Sequence, residues 1–182
     1  MKELSLHILD IMENSVSGGA NRIEVNITTN ETDDLFVIQI NDNGRGMDSE
    51  TLLNVTDPFF TTRTTRKIGM GISLLKQQAE QTHGEFTIKS ELGKGTEVKA
   101  SFGLNNIDRQ PLGDVAGVIV NMAASYSAID FVMNISTVEG DFHFSSHDAR
   151  EILDGMPMNS PEVMLWLKEL IQTNMADLHM IN

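Results

Sequence analysis

The chain is 182 residues long, holds no cysteine and carries a formal net charge of −13, which suits one domain or one domain with a small appendage and excludes disulfides, thiolate nucleophiles and Cys-type zinc sites. The acidic balance speaks against nucleic acid as a partner, since phosphate-backbone affinity comes chiefly from Lys and Arg. No apolar run reaches the ~18–20 residues of a membrane span, and Met1 leads straight into an amphipathic pattern without a secretory leader, so no membrane partner and a cytoplasmic location are expected.

The first helix is expected over 4–17, where Leu4, Ile8, Ile11, Met12 and Val16 recur at three-to-four spacing before Gly18-Gly19 stops it. RIEVNIT (22–28) alternates apolar and polar residues as a half-buried strand does. The loop NETDD (30–34) leads into a second strand, LFVIQIND (35–42), and the two read as an antiparallel hairpin. DSETLLNV (48–55) reads as a short helix with Asp48 as its cap. A polar stretch, TTRTTRK (61–67), precedes a helix expected from Gly69 to Gly84. GEFTIKS (84–90) and TEVKASF (96–102) are strands joined by the tight turn ELGKG.

Beyond Leu104, NNIDRQPLG (105–113) reads as a linker. Helices are expected over 113–125, 147–153 and 161–178, and strands over 129–138 and 140–145. The last helix carries Val163, Trp166, Leu167, Leu170 and Ile171, with Trp166 taken as core or interface packing. Residues 1–104 hold 10 basic and 15 acidic side chains and 105–182 hold 3 and 11, so the cations gather in the first part. The pattern predicts an α/β fold with helices layered on one antiparallel or mixed sheet.

Four segments carry the chemistry. On the first helix Glu3, His7, Asp10, Asn14 and Ser17 fall at alternating spacings of four and three, and so share one polar face. An amide oxygen at Asn14 is a hard ligand for Mg²⁺, and a carboxylate one turn earlier, Asp10, could polarise an attacking group. The same stripe also suits an ordinary solvated face. In the second strand the period of two puts Asp42 on the inward face of Phe36, Ile38 and Ile40. A carboxylate there needs a donor, and the exocyclic amine of adenine is one, with Gly44 and Gly46 allowing close backbone approach. An Asp-Asn-Gly turn is the plain alternative. GMGISLL (69–75) aims a helix N-terminus at an anion, or is simply a glycine-led helix start. The eight residues between Phe60 and Gly69 hold four threonines, two arginines and one lysine, which suits a short lid over phosphates, with Arg63, Arg66 and Lys67 as phosphate partners or surface charges. GKGTEV (93–98) is a hairpin turn at Lys94, with Thr96 able to approach a nucleotide.

In this order HILDIMENS (7–15), DNGRG (42–46), DPFFTTR (57–63) and GMG (69–71) resemble the N, G1, F and G2 boxes of the ATPase superfamily of gyrase, the large heat-shock chaperones, histidine kinases and mismatch-repair proteins. ENSVSGGANRIEVNI resembles the mismatch-repair branch. DPFFTTR and GMGISLLKQQAEQTHGEFTIKSELGKGTEV resemble the histidine-kinase catalytic domain. The resemblance implies a Bergerat-type two-layer α/β sandwich over 1–104, a mixed and mainly antiparallel sheet covered by helices. An α+β appendage at 105–182 is expected to contact a partner or a second copy of the chain. It further implies ATP and Mg²⁺ as cofactors. By position Asn14 holds Mg²⁺, Asp42 receives the adenine amine, and Gly44, Gly46, Gly69 and Gly71 shape the pocket. Met47, Phe59, Phe60, Met70, Ile72 and Thr96 then border the nucleotide, and Thr61, Thr62, Arg63 and Lys67 meet it from the lid. Hydrolytic branches place a Glu four residues before the Asn as general base. Here that position is Asp10, one methylene shorter, and it is the candidate catalytic residue; Glu13, beside Asn14, is less well placed. The three residues before Leu4 leave no room for a phosphoacceptor hairpin, so phosphate is expected to pass to a separate protein. The alternatives are a nucleotide-gated interaction module and a slow ATPase using Asp10.

Overall fold

A computed structural model describes residues 2–56 and 71–180. Among these, α1 spans Leu4–Ser17, β1 Arg22–Asn30, β2 Leu35–Asp42, α2 Ser49–Asn54, α3 Gly71–Gln81, β3 Phe86–Glu91, β4 Gly95–Gly103, α4 Val115–Ser125, β5 Asp130–Thr137, β6 Gly140–Ser145, α5 Ser146–Ile152 and α6 Pro161–Asp177.

The strands make one six-stranded sheet in the order β3-β4-β2-β1-β5-β6. The expected hairpins form, with Ile27 opposite Ile38 in β1–β2 and Ile88 opposite Val98 in β3–β4. The β2–β4 and β5–β6 pairs are also antiparallel, whereas β1 and β5 run parallel. The sheet is therefore mixed and mainly antiparallel, the α/β architecture expected. Period-two alternation sends Ile23, Val25 and Ile27, Phe36, Ile38 and Ile40, Val98, Ala100 and Phe102, and Phe131, Met133 and Ile135 to the same buried face. Leu4, Ile8, Ile11 and Met12 of α1, Leu75 of α3 and Ile119 of α4 pack with them. Full burial of such side chains contributes about 1.5–3 kcal/mol each, which is why a two-layer arrangement suffices.

Residues 105–113 run as a strap tied to the helices. Pro111 and Leu112 carbonyls accept from the N–H groups of Leu4 and Ser5, Gln78 donates to the Asp108 carbonyl, and the Arg109 guanidinium lies 4.8 Å over the Phe36 ring. The chain then adds β5 to the edge of β1 that β2 leaves open, which removes an unpaired row of backbone donors and acceptors. Residues 130–145 thus extend the sheet begun by residues 22–42. No helix among the described residues is long and apolar enough to cross a membrane.

α6 starts at a Ser160 cap with Pro161 in its first turn. It buries Val163, Leu167, Ile171 and Met175, while Trp166 stays 48% exposed. Of the two places expected for Trp166, core or interface, its exposure leaves the second. The buried stripe runs at i, i+4, i+8 and i+12, and Trp166 and Leu170 sit one position short of it, on the outer face.

Candidate functional site

Three connections build the site. The C-terminal end of β2 delivers Asp42 on the inward face, as its period requires, in register with Thr96 of β4. Asn43 then turns the chain: its side-chain oxygen accepts from the N–H groups of Asn21 and Arg22, locking the turn onto the start of β1. The Arg45 N–H donates to the Gly18 carbonyl at the end of α1, and the Arg45 carbonyl accepts from Gly93 in the β3–β4 turn. The 43–48 loop is thereby held from both sides.

Asp42 is half-buried and both its oxygens are engaged. Oδ2 accepts from the Ser15 hydroxyl at 2.7 Å and Oδ1 from the Gly44 N–H at 2.9 Å. Charge-assisted bonds of this length fix a carboxylate's orientation. The carboxylate is thus held in place by donors of the protein itself. Ser15 was not among the residues singled out from sequence. Its signal was a hydroxyl on the apolar face of α1, four residues after Ile11, where it is buried.

The two glycines of the loop have physical reasons. Gly46 has φ of +66° and a Cβ there would collide with the Glu91 carbonyl oxygen. At Gly44 a Cβ would lie 3.0 Å from the Gly18 carbonyl oxygen. Beside them the Ser90 hydroxyl accepts from the Met47 N–H at 2.8 Å and stands 2.9 Å from the Thr96 hydroxyl. Asp48 caps α2 through the Thr51 N–H at 2.7 Å, and that bond holds its carboxyl below the usual range.

These parts enclose a cavity of about 440 Å³, within the size range of small-molecule sites. Asn14, Asp42, Gly46, Met47, Ile72 and Thr96 line it, together with Ile11, Ser15, Arg45, Thr51, Val55, Leu92 and Val98. The cavity wall combines the apolar Ile11, Met47, Val55, Ile72, Leu92 and Val98 with the Asp42 carboxylate. Gly44, Gly71 and Asp10 stand behind the wall: Gly44 donates to Asp42, and Gly71 packs so tightly on Asp10 that a Cβ there would collide with the Asp10 carboxylate. Asn14 Nδ2 donates to Asp10 Oδ2 at 3.4 Å. Phe59, Phe60, Thr61, Thr62, Arg63, Lys67, Gly69, Met70 and the expected 61–68 lid lie outside the described residues.

His7 does not line the cavity. It is buried, with Nε2 3.0 Å from Gln110 Oε1 and Nδ1 3.4 Å from the Gly71 carbonyl oxygen. Burial pushes its pKa below the ordinary value, with the Gln110 contact opposing. It is a structural tie between α1, the head of α3 and the strap.

The fold and this pocket define a nucleotide-binding α/β domain. The chain belongs to the family described as "Histidine kinase-, DNA gyrase B-, and HSP90-like ATPase", whose sequence profile matches residues 2–106, and is an ATP-binding, histidine-kinase-like domain. It is 41% identical over 83 residues to a "Putative sensor protein" of Shewanella frigidimarina (strain NCIMB 400), covering 45% of this chain and 13% of that one. It is 31% identical over 108 residues to "Sensor histidine kinase YxdK" of Bacillus subtilis (strain 168), covering 56% of this chain and 33% of the relative. The chain thus spans a third or less of the length of these two relatives. Among solved structures, the "N terminal domain of a DNA repair protein" superposes with a TM-score of 0.58 at 19% identity, covering 80% of this chain and 52% of that one. That likeness concerns fold alone. Its coverage exceeds the segment 2–106, so the shared architecture reaches into the residues beyond.

Proposed function

We propose that the chain binds Mg·ATP in the Asp42 cavity and passes phosphate to a separate protein. The observation that carries the reading is the Asp42 carboxylate, held by Ser15 and Gly44 at a cavity wall. Its remaining acceptor capacity suits the adenine amine, where guanine would bring a carbonyl oxygen against a negative charge. The donor set also fits a hard cation: Asn14 would hold Mg²⁺ through its amide oxygen, with water and phosphate completing the shell. Bound Mg·ATP would supply the γ-phosphoryl group, with ADP as the leaving group. The chain's own residues orient the base, exclude water from it through Ile11, Val98 and Ile72, and set the angle of Asn14 through Asp10.

A second reading, a nucleotide-gated interaction module with little turnover, is favoured by one observation. Asp10 and His7 both meet Gly71, so the α1 wall of the cavity is in direct contact with the head of α3. Asp10→Asn separates these readings from a slow ATPase. Loss of phosphate release with ATP affinity intact makes Asp10 a catalytic base, whereas an unchanged rate leaves it a positioning residue. The direct test is incubation with γ-labelled ATP and cell extract. One labelled acceptor, absent with Asp42→Asn, is the expected result. Label released only as inorganic phosphate, or no turnover at all, would overturn the transfer reading.

A further inference from the structure

α6 supplies no residue to the cavity, yet its outer face has the composition of a recognition surface. Trp166 is 48% exposed, Leu165 58% and Leu170 38%. Glu162 stands one turn before Trp166 and Glu169 one turn after, both exposed. Helix faces that stay in water seldom carry Trp with two Leu, since each leaves apolar area unburied.

The charge of this part of the chain is one-sided. Residues 105–182 contain three cations against eleven acids, and all three cations are engaged elsewhere. Arg109 lies over Phe36, Arg150 donates to the Ala123 and Ile129 carbonyls, and Lys168 pairs with Asp114 at 2.6 Å. Among the described residues no ion pair includes Glu162 or Glu169. An indole between two carboxylates is complementary to a guanidinium or ammonium group, which stacks on the ring while donating to the acids.

We infer that the outer face of α6 is a docking surface for a cation-bearing amphipathic segment of a partner protein. An Arg or Lys of that segment sits on Trp166 between Glu162 and Glu169, and its apolar side chains cover Leu165 and Leu170. A second copy of this chain is the poorer occupant, because α6 against α6 sets like charges face to face. The inference stands apart from the phosphotransfer reading, since it concerns residues outside the nucleotide cavity and is read without nucleotide.

Trp166 is the chain's one tryptophan, so its fluorescence reports this face alone. The full chain is titrated with a synthetic Leu/Arg amphipathic helical peptide and with the same peptide carrying Glu for Arg. The expected result is a saturable shift in Trp166 emission with the Arg peptide and at least tenfold weaker binding of the Glu peptide. The double variant E162Q/E169Q should lose at least tenfold for the Arg peptide, while E31Q/E85Q, which removes two exposed acids elsewhere, binds it as the parent does. Equal responses to both peptides, equal losses in the two double variants, or no change in Trp166 emission would overturn the inference. So would sedimentation showing a dimer that Trp166→Ala dissolves, which would assign the face to a second copy.

Discussion

Ser15 and Asp42 form the contact on which the pocket depends, and only half of it was legible in the sequence. Asp42 could be placed because a strand's period of two carries an inward face to its last residue. Ser15 could not be paired with it, since a hydroxyl on a helix serves equally well bonded to its own backbone, and the Ser15 oxygen also lies 3.1 Å from the Ile11 carbonyl. Its 2.7 Å contact to Asp42 is a tertiary fact. Ser15→Ala should lower the thermal midpoint, because a hydrogen bond to a charged group is lost from the folded protein, and should weaken ATP binding as Asp42 loses its fixed orientation; equal affinity by calorimetry would show the bond to be incidental to binding. His7 sets a pH dependence. Its folded pKa is lowered from 6.5, so the unfolded chain takes up a proton first as pH falls. Its contribution is complete above pH 6.5 and declines as pH drops from there through the lowered folded value. Chemical denaturation of the parent between pH 7.5 and 5.5 should therefore show a steeper loss of stability than His7→Gln does, and parallel profiles would contradict this.

At the level of elements, most boundaries followed from local signals. α1 begins and ends where periodicity and the Gly18-Gly19 stop place it, and α2 is capped by Asp48 as expected. What periodicity left open was which side of α6 faces inward. Leu167 and Ile171 adjoin Trp166 and Leu170 in sequence, so two apolar stripes compete, and the packing of α6 against α4 decides between them. Leu167 is 1% exposed and Trp166 48%. Leu167→Ala should cost about 2–5 kcal/mol, whereas Trp166→Ala should stay within about 0.5 kcal/mol. Urea unfolding of both variants checks the assignment, and a larger loss at Trp166 would reverse the face.

The whole molecule is held by pairings that no local pattern encodes. The parallel β1–β5 pair joins residues 22–28 to 130–136, across more than a hundred residues of chain, and the 105–113 strap binds α1 on the way. A composition change at Leu104 is visible in sequence, but the partner of a strand edge is not. Ending the chain at residue 104 would bare the outer edge of β1 and strip the core of Ile119, Phe131 and Met133. The full chain should accordingly unfold in one calorimetric transition, and a chain of residues 1–104 should lose that cooperativity. Two separate transitions, or an intact one for the shorter chain, would show that the parts fold independently.

In the proposed function Asp42 reads adenine in this cavity. Equilibrium binding of Mg·ATP and Mg·GTP to the parent and to Asp42→Asn tests it most directly. ATP should be preferred, and Asp42→Asn should weaken its binding by roughly 10- to 100-fold, the loss of a charged hydrogen-bond partner, in a chain that still folds. ATP affinity unaltered by Asp42→Asn, or equal binding of GTP by the parent, would contradict it.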